Sequence, residues 1–217
     1  MKPISHYQAL IFDMDGTLLD NMQYHEKSWE VFLQENELSI DMKTFERDYH
    51  HGTLQEVMAR LFPHLSKPED LVAIGQRKEE VYRELCQPHL KALPGLHTFL
   101  NRIQNKKIPM GLATMGDQIN IDFTLSGLEL VNYFKATTGG DQVQQGKPHP
   151  EIFLSTSKKL GVDASHCLAF EDTRSGIQSA LAAGMDVVGI ATMFSERELL
   201  DLGCVGAVRN YLDFVVE

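Results

Sequence analysis

Residues 9–12, Ala-Leu-Ile-Phe, form an apolar run that stops abruptly in Asp13-Met14-Asp15-Gly16. A short apolar run ended by turn residues reads as a strand buried on both faces. Alternation along a strand puts Asp13 and Asp15 on one side, and Gly16 lets the chain turn there. Two carboxylates are thus expected at the carboxyl end of a buried strand, facing a crevice. Held so close, they resist ionising together unless a cation lies between them. A hard divalent ion such as Mg2+ suits oxygen ligands of this kind. The first acid has the chemistry of a nucleophile, the second that of a general acid and base. A bare Asp-x-Asp also reads as a calcium-type or surface acidic turn. The apolar run before it and Gly16-Thr17-Leu18-Leu19-Asp20 after it favour the buried site.

Beyond Asp20 the pattern turns helical. Tyr24, Trp29, Phe32 and Leu33 give one apolar face over several turns, and Phe45 sits on a short helix. Thr53-Leu54-Gln55-Glu56 reads as a helix start, with Thr53 as cap and Glu56 closing a capping box. Pro63 ends that helix, and a long charged helix over about 68–86 follows, with Leu71, Ile74, Val81 and Leu85 on one side. Residues 22–88 are therefore expected to form a helical bundle inserted into a unit made of 1–21 and 89–217. In that unit, apolar runs at 108–114, 136–138, 167–170 and 187–190 alternate with helical patterns, stopped by Gly127, Gly161 and Gly184. The tail from Ser195 holds a short helix and one further edge strand. The fold class that follows is α/β, a mostly parallel Rossmann-like sheet with helices on both faces.

Sites in such sheets form at the carboxyl ends of the strands. Three of the expected strand ends carry polar chemistry: Asp13 with Asp15, Thr114, and Glu171 with Asp172. Thr114 precedes Met115-Gly116-Asp117, a candidate helix start, where a hydroxyl and backbone N–H groups can hold phosphate oxygens; a simple N-cap is the alternative. Lys147 sits in Gly146-Lys147-Pro148-His149-Pro150, where prolines restrict the backbone. It can offset the charge of a carboxylate and a phosphate together, or be a solvated surface lysine. Glu171 and Asp172 end an apolar run, and buried acids are costly unless paired; a metal shared with Asp13 would offset that cost.

Composition narrows the partners. The 217 residues suffice for one good-sized core and a modest second unit. A formal net charge of −10 argues against nucleic acid or an anionic membrane as partner, although a bound cation and placed lysines can still receive a phosphorylated metabolite. Cys86, Cys167 and Cys204 make no Cys-x-x-Cys pair, which suggests reduced thiols. No signal-peptide core or membrane-length apolar run is seen, so a cytoplasmic protein is expected.

The Asp13-Met14-Asp15-Gly16-Thr17 stretch resembles the first motif of the haloacid dehalogenase-like (HAD) superfamily. Thr114, the Gly-Lys-Pro-x-Pro setting of Lys147, and Glu171-Asp172 resemble its second, third and fourth motifs, in order. Gly176-Ile177 and Ala182-Ala183-Gly184 also match the pattern that follows the fourth motif. The insert resembles the C1-type cap, so the resemblance implies an HAD-like core and a cap. A monomer is expected, although no residue pattern speaks to oligomeric state. Tyr24-His25 with Trp29, Leu93-Pro94-Gly95 and Arg77-Lys78 resemble the β-phosphoglucomutase and sugar-phosphate phosphatase branch.

The resemblance implies a mechanism. Asp13 attacks phosphorus, and Asp15 protonates the leaving oxygen and later deprotonates the acceptor. Thr114, Met115 and Lys147 bind the phosphate. Mg2+ is the cofactor, held by Asp13, the Asp15 carbonyl, Asp172 and, directly or through water, Glu171. His25, His51, Gly52 and Lys78 are the cap residues expected to meet substrate. Thr17-Leu18 after the first motif is the generic phosphatase form, and no arginine follows His51-Gly52 until Arg60, where a mutase grips its second phosphate. Hydrolysis of a small phosphorylated sugar is therefore preferred to a phosphohexomutase. The intact Asp-x-Asp argues against a dehalogenase, and the full set of motifs against a non-catalytic binding protein.

Overall fold

The computed structural model describes residues 2–49, 52–212 and 214, with Glu46 described in its backbone only. The chain divides into two compact units: Met1–Asp20 with Lys91–Glu217, and Asn21–Leu90.

The first unit is built on a six-stranded parallel sheet. Its strands are β1 (Ala9–Phe12), β2 (Met110–Ala113), β3 (Phe134–Thr138), β4 (Cys167–Glu171), β5 (Asp186–Ile190) and β6 (Gly206–Val208), in the order β3-β2-β1-β4-β5-β6. β1 pairs Leu10 with Met110 on one side and with Leu168 on the other. The order reverses about β1, so the chain leaves its two neighbours in opposite directions and opens a crevice at their carboxyl ends. Every residue of β1, β2 and β4 is buried, as strands covered on both faces require. Phe12 stacks on Phe170 across the β1–β4 pair at 4.6 Å. The helices of this unit are α5 (Leu96–Asn105), α6 (Gln118–Gly127), α7 (Glu151–Leu160), α8 (Arg174–Ala182) and α9 (Glu196–Asp201).

The second unit holds α1 (Met22–Glu35), α2 (Met42–Asp48), α3 (Leu54–Leu61) and α4 (Pro68–Cys86). Trp29, Phe32, Leu33, Phe45, Val57, Met58, Leu61 and Phe62 form its core. The capping box is present: the Thr53 side chain accepts from the Glu56 N–H, and the Glu56 carboxylate accepts from the Thr53 N–H. Among the described residues, no helix is long and apolar enough to cross a membrane.

Three local expectations are corrected. Gly127 is the last residue of α6 rather than its stop, and the left-handed residue beyond it is Glu129 (φ 59°). α6 starts after Asp117, whose carboxylate caps it by accepting from the Asn120 N–H, so Thr114 lies upstream of the helix start. On α4, Leu71, Ile74 and Leu85 are only partly buried, whereas Lys78, Glu79 and Tyr82 are buried with Val81. Apolar spacing missed that face because its charged members bury as a pair.

Candidate active site

β1 runs directly into Asp13, whose N–H still donates to the Phe170 carbonyl at 2.9 Å, so the carboxylate is carried on the end of the sheet. β4 delivers Glu171 and Asp172 alongside. These three acids are 6%, 1% and 0% exposed, and their nearest ligand oxygens all lie within 4.8 Å of one another. One cation is set among them. The Lys147 ammonium donates to Asp13 Oδ1 at 2.6 Å, to Glu171 Oε1 at 2.7 Å and to the Ala113 carbonyl at 3.1 Å. Three acceptors satisfy its three N–H donors, so its direction is defined. The second oxygen of Glu171 accepts from the N–H groups of Asp172 and Thr173 at 2.8 Å each, and from the Thr173 hydroxyl at 3.0 Å.

Asp172 is held differently. The Thr17 hydroxyl donates to its Oδ1 at 3.2 Å, and Gly16 packs against its other oxygen. Gly16 has φ +75°, and a Cβ there would lie 2.0 Å from Asp172 Oδ2. Only glycine fits both the turn and the carboxylate. The Thr192 hydroxyl, just beyond β5, donates to the Gly16 carbonyl at 2.7 Å and braces the same loop.

The charges do not balance. Burial, opposed by Lys147 and reinforced by Glu171 and Asp15, pushes the Asp13 carboxyl up to about 8. Burial and the charges of Glu171 and Asp13 push Asp172 well above the carboxylate range. Burial works against the Lys147 ammonium, but Asp13 and Glu171 outweigh it and hold its pKa above the usual lysine range. With all three carboxyls ionised, one ammonium would leave two negative charges uncompensated, which is why Asp13 and Asp172 hold their protons so far up; an all-oxygen set of this kind fits a hard divalent cation, which would take the place of those protons.

The structure thus brings Asp13, Lys147, Glu171 and Asp172 together. Thr114 is buried directly after Ala113, the residue whose carbonyl receives Lys147; its hydroxyl accepts from the Gly116 N–H at 3.1 Å. Its own N–H donates to the Thr138 carbonyl. Met115 and Asp15 are half-buried in the loops that follow β2 and β1. The other expected site residues belong to the helical unit. There the Lys78 ammonium is 3.3 Å from His25 Nδ1 and 3.0 Å from Glu79, and it lies over the Trp29 ring at 4.7 Å. The His25 ring stacks on Tyr82 at 3.7 Å. Gly52 is exposed, with φ +84°, and His51 lies outside the described residues.

Thr173 and Thr192 were not singled out from the sequence. Thr192 follows the apolar run 187–190, so the strand-end rule that found Thr114 also reaches it. Tyr82 lies one helical turn after Lys78, a spacing that puts both on one face.

Comparison with known proteins agrees with this geometry. The model of the haloacid dehalogenase-like hydrolases matches residues 10–190. The chain is 32% identical to fructose-1-phosphate phosphatase YqaB of Escherichia coli over 185 residues, 85% of this chain and 96% of that protein. It is 29% identical to a phosphorylated carbohydrates phosphatase of Thermotoga maritima over 208 residues, 93% of this chain and 94% of that protein. The crystal structure of β-phosphoglucomutase from Clostridium difficile superposes with a TM-score of 0.78 at 26% identity, covering 94% of this chain and 92% of that one. A parallel sheet whose central strand ends in paired acids, a lysine buried between carboxylates, and these likenesses along the chain have one common reading: the protein belongs to the haloacid dehalogenase-like hydrolase family.

Proposed function

We propose that this protein is a Mg2+-dependent phosphatase that hydrolyses a small phosphorylated sugar through an aspartyl-phosphate. Asp13 attacks phosphorus in line and the sugar oxygen leaves, taking a proton from Asp15. The resulting phospho-Asp13 is cleaved by water, which returns its proton to Asp15, and inorganic phosphate is released. Thr114, the Met115 N–H and Lys147 bind the phosphate oxygens and offset their charge, so catalysis is mainly positioning and charge stabilisation. Asp13, Asp172 and the Asp15 carbonyl would hold Mg2+, with Glu171 adding its charge while it aims Lys147. The bound ion supplies positive charge to the phosphate oxygens.

The observation that carries this reading is the Lys147 ammonium bridging Asp13 and Glu171 beside Asp172, a buried set that, fully ionised, is one divalent cation short of neutral. The sugar-phosphate class is supported by the likeness to a fructose-1-phosphate phosphatase and a phosphorylated carbohydrates phosphatase. His25 and Lys78, with His51 and Gly52, are the residues we assign to substrate choice.

A mutase is the competing reading, since a β-phosphoglucomutase is among the structural neighbours. It must grip two phosphates at once. The first arginine after Gly52, Arg60, donates from Nε and Nη2 to the Tyr49 carbonyl at 3.1 and 2.8 Å, which favours hydrolysis. The test is a panel of sugar phosphates with Mg2+, following free phosphate and sugar-phosphate isomers together. Phosphate release is expected. Isomer formation without release, dependent on a bisphosphate primer, would overturn it.

A further inference from the structure

Tyr211 is 3% exposed, and its ring packs against Phe99 (centroids 5.1 Å) and Phe170 (6.1 Å). A phenylalanine would fill that space as well. The phenol oxygen is what distinguishes it, because a buried Tyr hydroxyl must find an acceptor. It donates to the Thr17 carbonyl at 3.0 Å. Thr17 in turn donates its own hydroxyl to Asp172 Oδ1. Two hydrogen bonds therefore run from Tyr211 to the carboxylate. Thr17 is held at both its carbonyl and its side chain, and Gly16 before it lies so close to Asp172 that a side chain there would strike the carboxylate.

The same residue is anchored at its backbone. The Tyr211 N–H donates to the Pro94 carbonyl at 2.9 Å. Gly95, with φ +82°, sits so close that a Cβ would lie 2.6 Å from the Leu212 nitrogen and 2.7 Å from the Tyr211 carbonyl carbon. Neighbouring segments join the arrangement: the Leu93 N–H donates to the Leu18 carbonyl at 2.8 Å, and Leu19 bridges Ala92. Segments 17–19 and 92–95, which flank the helical insert in the chain, are thus paired with each other and both bonded to Tyr211.

We propose that Tyr211 is a positioning residue for Asp172, acting through Thr17, and that it sets the affinity of the site for its divalent cation. This rests on the assignment of Asp172 to the metal. Partners that orient a metal-binding carboxylate govern affinity because they fix its direction before the ion arrives.

The test uses the full chain, stripped of metal. Mg2+ binding is measured by titration calorimetry for wild type, Tyr211→Phe, Thr17→Val and the double variant, with melting of each in the absence of metal. Tyr211→Phe is expected to weaken Mg2+ roughly tenfold. Its metal-free melting temperature should fall by no more than a few degrees, on the order of one hydrogen bond. The double variant should bind no more weakly than Thr17→Val alone, because both changes act along one path. Unchanged Mg2+ affinity in Tyr211→Phe overturns the proposal, whatever happens to melting. Additive losses in the double variant overturn the route through Thr17. A wild-type protein that binds no Mg2+ removes the metal assignment, and this inference with it.

Discussion

Asp13 shows how much one residue depends on its surroundings. Its carboxylate is buried, bonded to an ammonium and crowded by other acids. Asparagine matches its shape: it keeps an acceptor for Lys147 and lacks the charge that the proposed attack on phosphorus requires. Asp13→Asn is expected to abolish phosphate release while circular dichroism and melting stay near wild type; substantial residual turnover would remove Asp13 from that role. Its titration makes a second prediction. A carboxyl raised to about 8 by burial takes up protons on folding. Its contribution to the stability of the metal-free protein is full below the ordinary carboxylate range and is lost as pH rises through that value. Mg2+ needs the ionised form, so binding near neutral pH should release protons, and the rise in melting temperature it brings should grow with pH. Calorimetry in buffers of different ionisation enthalpy reads the released protons; an enthalpy independent of buffer would contradict the assignment.

Elements in this protein are legible where neighbours in the chain decide them. The capping box of α3 involves residues three apart, and Thr53 and Glu56 meet as their order requires. Thr53→Ala should destabilise the helical unit by about 1 kcal/mol. Hydrogen exchange at Val57 and Met58 would report it, and unchanged protection there would show the cap to be dispensable. Helix boundaries were less legible. Gly127 invited a stop, but the chain turned left-handed at Glu129 instead. The inner face of α4 was hidden for another reason: Lys78 and Glu79 neutralise each other, and charge ceases to mark exposure once it is paired.

For the molecule as a whole, the proposed assignment of substrate choice to Lys78 yields a test. Lys78→Ala should lower kcat/KM for the preferred sugar phosphate by roughly ten- to a hundredfold, the worth of a hydrogen bond to a charged group, and change turnover of p-nitrophenyl phosphate much less. Equal losses on both would make Lys78 a support of the fold or of the core chemistry.

Apolar run length, turn residues and helical period are properties of short windows. They were enough to establish from the sequence a parallel α/β sheet with acids at its strand ends. They also told of a helical insert after β1. Tertiary structure alone decided who meets whom at those ends. Lys147 reaches Asp13 across 134 residues, Thr17 reaches Asp172 across 155, and Tyr211 reaches Thr17 across 194. No local pattern encodes such pairings, because a hydrogen bond depends on where two side chains arrive in space and the chain between them can take any path that brings them there.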